Sequence, residues 1–205
     1  MNDICEIVGG DTPSKSHPEY YCKRGIAWIT PKDLSISKSK FSSRGSEDIT
    51  SDGYKNSSAK LMPRGTVLFS SRAPIGYISI ATNEICTNQG FKSAVPGIAG
   101  TGYLYYFLQG KYALLNTKKR GTGTPHLDTT ILNQQKLVVP SAKEQKRIVA
   151  RIEELFSELD NGVETLKKTK QQLAVYRQSV LRAAFEGKYT EQWRKSQHKA
   201  IAVRD

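Results

Sequence analysis

No stretch of this 205-residue sequence has the run of about 18 apolar residues that a membrane-spanning helix needs. The opening MNDICEIVGG lacks the basic flank and apolar core of a secretory signal, so the expected location is cytoplasmic. Cysteine is scarce: Cys5, Cys22 and Cys86 are three in number, widely spaced and without a CxxC pair. That argues against a disulfide framework and against a zinc site, and the three read as ordinary buried or half-buried thiols. His17, His126 and His198 lack metal-ligand spacing, so no metal is expected. Catalytic signatures are missing as well. There is no GxxxxGK[ST] phosphate loop, no Asn-Pro-Pro-aromatic signature of adenine-amino methyltransferases, no PD…(D/E)xK nuclease set and no Ser/His/Asp arrangement. The GIAGTG at 97–102 resembles a glycine-rich nucleotide loop only superficially and reads as a turn. No catalytic residue is nominated.

Acidic charge is also in short supply. Lys+Arg number 31 against 19 Asp+Glu, a net charge of +12. Residues 1–140 hold 17 basic and 10 acidic residues (+7), and residues 141–205 hold 14 and 9 (+5), so the excess is spread along the chain. Such a charge favours a polyanionic partner, most often nucleic acid; the alternative is a basic but inert surface. Apolar residues make up 38%, enough for the core of one globular domain plus an extended element.

The first 140 residues read as short strands and turns. Alternation marks strands at Thr66-Val67-Leu68-Phe69-Ser70 and Ile75-Gly76-Tyr77-Ile78-Ser79-Ile80, set between the turn signals Met62-Pro63-Arg64-Gly65 and Ala73-Pro74. Ser35 to Ser58, rich in Ser, Lys and Gly, is expected to be an extended surface loop. Residues 101–116 read as an aromatic-rich helix packed on the sheet, Thr117 to Thr130 as a second polar loop, and Lys136–Pro140 as a last short strand. Ser141 then offers an N-cap, with Glu144 three residues on as a capping box. The helix it opens is expected to run to about Glu186, with Gly187 as its C-cap, roughly 65 Å at 1.5 Å per residue. Asp160-Asn161-Gly162 is a weak point where it could kink or split. Residues 188–205 are polar and read as frayed.

Loops supply the candidate DNA contacts. Lys118, Lys119 and Arg120 stand beside Thr122 and Thr124 in KKRGTGTPH, where cations release counterions and glycine lets backbone approach a phosphate. Arg72, between two apolar strands, is placed either to grip guanine bidentately in the major groove or to form an internal ion pair that fixes its turn. Lys38, Lys40 and Arg44 lie in the Ser-rich segment, either as a groove-reading loop or as a solvated charge run. In the long helix, Ile148, Ile152, Leu155, Leu159, Leu166, Leu173, Tyr176 and Val180 share one seam with steps of three and four, a pattern that needs a partner helix. Up to about Leu159 that partner can be the chain's own domain. Beyond Val163 another helix is expected, with Leu159, Leu166, Leu173, Tyr176 and Val180 as the pairing residues. Gly162 and Thr169 leave the seam imperfect.

Four stretches resemble the target recognition domain and helical region of type I restriction-modification specificity subunits. They are GGDTPSKSHPEYY…GIAWITPKDLS, SSAKLMPRGTVLFSSRAPIGYISIA, TNQGFK, and GTGTPHLDTTILNQQKLVVPSAKEQKRIVARIEELFSELDNGVETLKKTKQQL. The last, a strand, then Pro140, then an E-Q-x-x-I helix start, is the most specific. The resemblance covers roughly residues 3–194. It implies an α+β head at 1–140 that recognises DNA, a helical spacer and dimerisation arm at 141–187, and a polar tail at 188–205. It also implies a non-catalytic subunit without a cofactor of its own. Such a subunit scaffolds modification subunits, which use S-adenosylmethionine to methylate adenine N6, and a restriction subunit can join them. Full-length members hold two recognition domains and two helical regions, paired antiparallel. The sequence contains one of each and lacks the family's usual lead-in, so it matches one half, and FEGKYTEQWRK resembles the segment that leads into a second recognition domain.

Two readings follow. In one, the chain is a DNA-binding half-subunit that dimerises or pairs with another half. In the other, it is a truncated interaction protein that binds the modification subunit and competes with the full-length specificity subunit. A stand-alone enzyme is the least supported.

Overall fold

The computed structural model describes residues 4–72, 74–117, 126–127 and 129–196. Its first part is a mixed α+β head. Strands β1 (Cys5–Gly9), β4 (Phe41–Ser42), β6 (Val67–Phe69), β7 (Ile78–Ala81) and β9 (Lys92–Pro96) form one sheet in the order β1-β9-β6-β7-β4. All neighbours are antiparallel except β4 and β7, which run parallel. Two small ladders flank it: β2 (Tyr21–Cys22) antiparallel with β5 (Asp48–Ile49), and β3 (Trp28–Ile29) parallel with β8 (Cys86–Thr87).

The period-2 alternation seen in the sequence serves a sheet buried on both faces. Val67 and Phe69 of β6 point into one cluster with Ile80, Ala94 and the helix α3 (Thr101–Thr117), whose Leu104, Leu108 and Leu115 line one face. Leu127 and α4 (Thr129–Asn133) close that cluster through Ile131 and Leu132. Leu68, between Val67 and Phe69, points the other way, toward Ile29, Leu34, Met62, Ile85 and Phe91. The turn before β7 passes so close to α3 that a Cβ on Gly76 would lie 1.9 Å from the Tyr112 ring, and Gly76 has φ +95°. Only glycine fits there without strain.

Residues 35–58 are not an extended loop. They contain the end of α1 (Pro31–Ser37), β4, β5 and α2 (Ser51–Lys55). Side-chain hydroxyls build these short elements. Thr30 and Asp33 form a reciprocal capping box on α1, and the Thr50 hydroxyl accepts the Gly53 N–H at 3.1 Å to cap α2. Serine and threonine that look loop-forming in composition act here as caps. Residues 136–140 form no ladder either, because side chains take their carbonyls: the Tyr103 hydroxyl donates to Val138 O at 2.8 Å, and the Gln145 amide donates to Pro140 O at 2.9 Å.

The long helix α5 spans Ala142–Phe185 without interruption. Ser141 Oγ accepts the Glu144 N–H at 3.4 Å, and Gly187 follows in the left-handed conformation at φ +70°. Asp160-Asn161-Gly162 neither kinks nor splits it. One glycine costs a helix about 1 kcal/mol, little against the cooperativity of so long a segment. Residues 188–196 are ordered as a single 3-10 turn (Lys188–Thr190) and a short helix α6 (Glu191–Ser196). The Arg194 guanidinium donates back to Gly187 O at 2.8 Å. By its contacts the chain divides into two units, Met1–Arg151 and Ile152–Asp205. The boundary lies within α5, because Gln145 and Val149 are in contact with residues 98–102 of the head. Among the described residues no helix is long and apolar enough to cross a membrane.

Candidate nucleic-acid interface

The KKRGTGTPH cluster, with Lys118, Lys119, Arg120, Thr122 and Thr124, falls outside the described residues; only its last member, His126, is placed. The other nominated cations are spread over three environments. Arg72 is exposed, and among the described residues it has no carboxylate partner, so the internal ion pair is not formed with any of them. Its main chain is firmly held: Arg72 pairs with His126 in an isolated bridge, and its N–H donates to Gly90 O at 3.2 Å.

Lys38 is exposed and caps α1 in the left-handed conformation, φ +48°, with its N–H donating to Leu34 O at 3.0 Å. Lys40 is half-buried against aromatic rings. Its Nζ lies 4.8 Å from the Tyr106 ring centre, 5.4 Å from Tyr105 and 5.6 Å from Phe41, and it donates to the Tyr106 hydroxyl at 3.2 Å. Burial, then the neighbouring Tyr106, push the Tyr105 hydroxyl up, with the Lys40 ammonium pulling the other way. The aromatic stems hold the Lys40 charge in place by cation–π attraction. Arg44 is ion-paired with Asp48, which is fully buried and also accepts the Gly25 N–H at 2.9 Å. Arg44 therefore anchors the corner between β4 and β5, in a concavity shared with Leu61 and Glu84 and apart from Arg72.

Around Arg72 the fold assembles polar residues that the sequence does not group. Lys32, Asn88 and Gln89 line one concavity with it, and Gln89, Lys92 and His126 line another. TNQGFK is visible in the sequence as a motif. Its adjacency to Lys32, Arg72 and His126 is not, because those positions lie tens of residues apart and meet through main-chain bonds such as Asn88 N–H to Ile29 O and Arg72 N–H to Gly90 O and through the Arg72–His126 bridge. No group of three or more His, Cys, Asp or Glu that could hold a metal occurs among the described residues.

In α5, Leu159, Leu166, Leu173 and Tyr176 are exposed and Val180 is half-buried. Leu166 is 71% exposed. The apolar face of α5 beyond Ile152 also includes exposed Leu155 and Val163.

Comparison with known proteins places these features. The pattern of the type I restriction modification DNA specificity domain matches residues 1–174. The specificity subunit of the type I restriction enzyme MjaIX of Methanocaldococcus jannaschii is 38% identical over 172 residues, covering 82% of this chain and 38% of that protein. The EcoR124I/EcoR124II specificity subunit of Escherichia coli is 30% identical over 175 residues, covering 80% of this chain and 41% of its own length. The chain thus spans about two fifths of the curated relatives it matches. Among solved structures, a chain from a study of type I R-M complex assembly and conformational transition superposes with a TM-score of 0.68 at 21% identity, covering 90% of this chain and 44% of that one. The HsdS subunit of Thermoanaerobacter tengcongensis superposes at 0.62 and 20% identity, covering 77% and 36%. At these identities the two structures speak for the fold.

Proposed function

This chain belongs to the type I restriction modification DNA specificity family, and we propose that it works as the DNA-reading half of a specificity subunit. In this reading the head recognises one half of a bipartite, interrupted duplex site. The arm pairs through Leu159, Leu166, Leu173, Tyr176 and Val180 with a second half and spaces the two heads along DNA. The observation that carries the reading is one basic α+β head joined in sequence to one 44-residue helix with an exposed apolar seam. Two copies related by a twofold axis would read a palindromic interrupted site.

The subunit is non-catalytic in this proposal. Chemistry belongs to modification subunits, which bind S-adenosylmethionine and methylate adenine N6, and to a restriction subunit where one joins. The similarity to proteins that are specificity subunits supports this division of labour. The loop cations Lys118, Lys119 and Arg120, with Thr122 and Thr124, remain the nominated DNA contacts. Lys38 and Lys40 are secondary nominees.

Methylome sequencing of cells that co-express the chain with its modification subunit tests the reading. A palindromic, interrupted N6-methyladenine motif is the expected result, and an asymmetric motif would mean pairing with a different half. No motif, despite a confirmed complex of the two proteins, would overturn the reading in favour of a competitor of the full-length subunit.

A further inference from the structure

Three segments far apart in the chain are knotted together by main-chain hydrogen bonds. Ser71 N–H and Arg72 N–H both donate to Gly90 O, at 2.7 and 3.2 Å, and Leu127 N–H donates to Ser71 O at 2.7 Å. Two concavities of about 480 and 310 Å³ open on this knot and share Arg72 and Gln89. The first adds Lys32, the second Lys92 and His126. Among the described residues no carboxylate lines either one.

The charge of the cradle is one-sided: its charged side chains among the described residues are all cations. Lysine and arginine only donate. Each amide oxygen already accepts one hydrogen bond from the protein: Gln89 Oε1 accepts the Thr12 hydroxyl, and Asn88 Oδ1 accepts the Gly90 N–H at 2.9 Å. Each amide also offers the two donors of its NH₂ group. A cradle of three cations and two amide donors is matched by a ligand that only accepts and is negatively charged. A base pair's major-groove edge is uncharged and carries a donor beside its acceptors; a phosphodiester is anionic and presents acceptors alone.

We propose that Lys32, Arg72, Gln89 and Lys92 form a phosphate cradle for the backbone of duplex DNA, a contact that positions the head without reading sequence. The assignment rests on the DNA-reading function proposed above. It gives Arg72 a role other than gripping guanine, as a guanidinium matched to a phosphate and carried on a main chain held to Gly90 and His126.

Fluorescence anisotropy of the full chain with three labelled duplexes of unrelated sequence, titrated with salt, tests it. Arg72→Ala and Lys92→Ala should each weaken binding to all three duplexes by the same factor. Each should also make the slope of log K against log salt shallower by about 0.9, the value for one phosphate contact. Gln89→Glu keeps an acceptor for the Thr12 hydroxyl but sets an anion where a donor stood. It should weaken all three duplexes alike while leaving Tm unchanged. A loss confined to one duplex would make the cradle a base reader and overturn the proposal. So would unchanged affinity and slope in folded variants whose parent binds DNA. A parent chain that binds no duplex even at low salt would remove the DNA-reading function itself, and the cradle with it.

Discussion

Gln145 grips Gly100: its Oε1 accepts the Gly100 N–H at 2.7 Å, while its Nε2 donates to Ile98 O at 3.2 Å and to Pro140 O at 2.9 Å. One buried side chain in the first turn of α5 thereby satisfies three main-chain groups from two connecting segments. Truncation in Gln145→Ala would leave those groups unpaired, at about 1–3 kcal/mol for each buried one. Urea melts should show a net loss of roughly 2–4 kcal/mol. Hydrogen exchange should show faster exchange of the Gly100 amide. Unchanged exchange at Gly100 would mean that the contact does not hold the helix start.

Arg44 and Asp48 form an ion pair whose two ends differ sharply in exposure, 44% for the arginine side chain and 1% for the aspartate. Arg44→Ala leaves a buried carboxylate with only the Gly25 N–H and should cost stability, about 1–3 kcal/mol given the partly exposed arginine. Asp48→Asn in the same background should recover part of it, because the neutral amide needs no counter-charge. Thermal denaturation of the single and double variants checks this. A DNA-binding defect of Arg44→Ala at full thermal stability would instead make Arg44 a direct contact.

Asp33 couples the head's stability to acid. Burial raises its pKa, but hydrogen bonds donated by Thr30 and Ser46 together outweigh that, and the carboxyl sits below the usual value of 3.8. A depressed folded-state pKa contributes stability that is present above the unfolded value and lost as pH falls through the folded one. Asp33→Asn should therefore destabilise the protein at pH 7. The gap between the variant and the parent should narrow below about pH 4. Denaturant midpoints at pH 7, 5 and 3.5 would show it, and a gap that stays constant with pH would contradict it.

The three thiols should react in a set order. Burial pushes the Cys86 thiol up to about 12 and also raises Cys5, whereas Cys22 is half-buried. At pH 8 a thiol-specific reagent should modify Cys22 in the native protein, and Cys5 and Cys86 only in urea. Mass spectrometry of the labelled peptides reads the order, and fast native labelling of Cys86 would contradict its burial.

Leu173 tests the arm. Leu173→Glu puts a charge at the middle of the proposed pairing seam and should shift sedimentation equilibrium toward monomer by at least tenfold in Kd, since burying an uncompensated charge costs several kcal/mol. Lys170→Glu, in the same helix but not among the seam residues, should leave the equilibrium unchanged. Equal behaviour of the two variants would mean that the seam does not mediate pairing.

Where chemistry is local, sequence and structure agree closely. Alternation at Val67–Phe69 and Ile78–Ile80, the helix at 101–116, and the Ser141 start and Gly187 stop of α5 all depend on neighbours within a few residues, so their signals survive in the linear chain. The exceptions are equally physical. Thr30 and Thr50 cap helices through side-chain hydroxyls, which composition alone does not separate from loop serines and threonines. Val138 and Pro140 give their carbonyls to Tyr103 and Gln145, partners that no window of sequence contains.

The sequence by itself determined the α+β class, the family, the long helix and its apolar seam, because periodicity, caps and net charge are properties of neighbours along the chain. Only the tertiary structure decided that Arg44 is tied to a buried aspartate, that Lys40 rests on aromatic rings, and that Lys32, Arg72, Gln89 and Lys92 share one cradle. The cradle depends on the pairing that sets Ser70 beside Phe91 and Arg72 beside Gly90. The hydrophobic pattern tells which face each residue takes, but the pairing joins partners far apart in sequence, and no local window of residues states it.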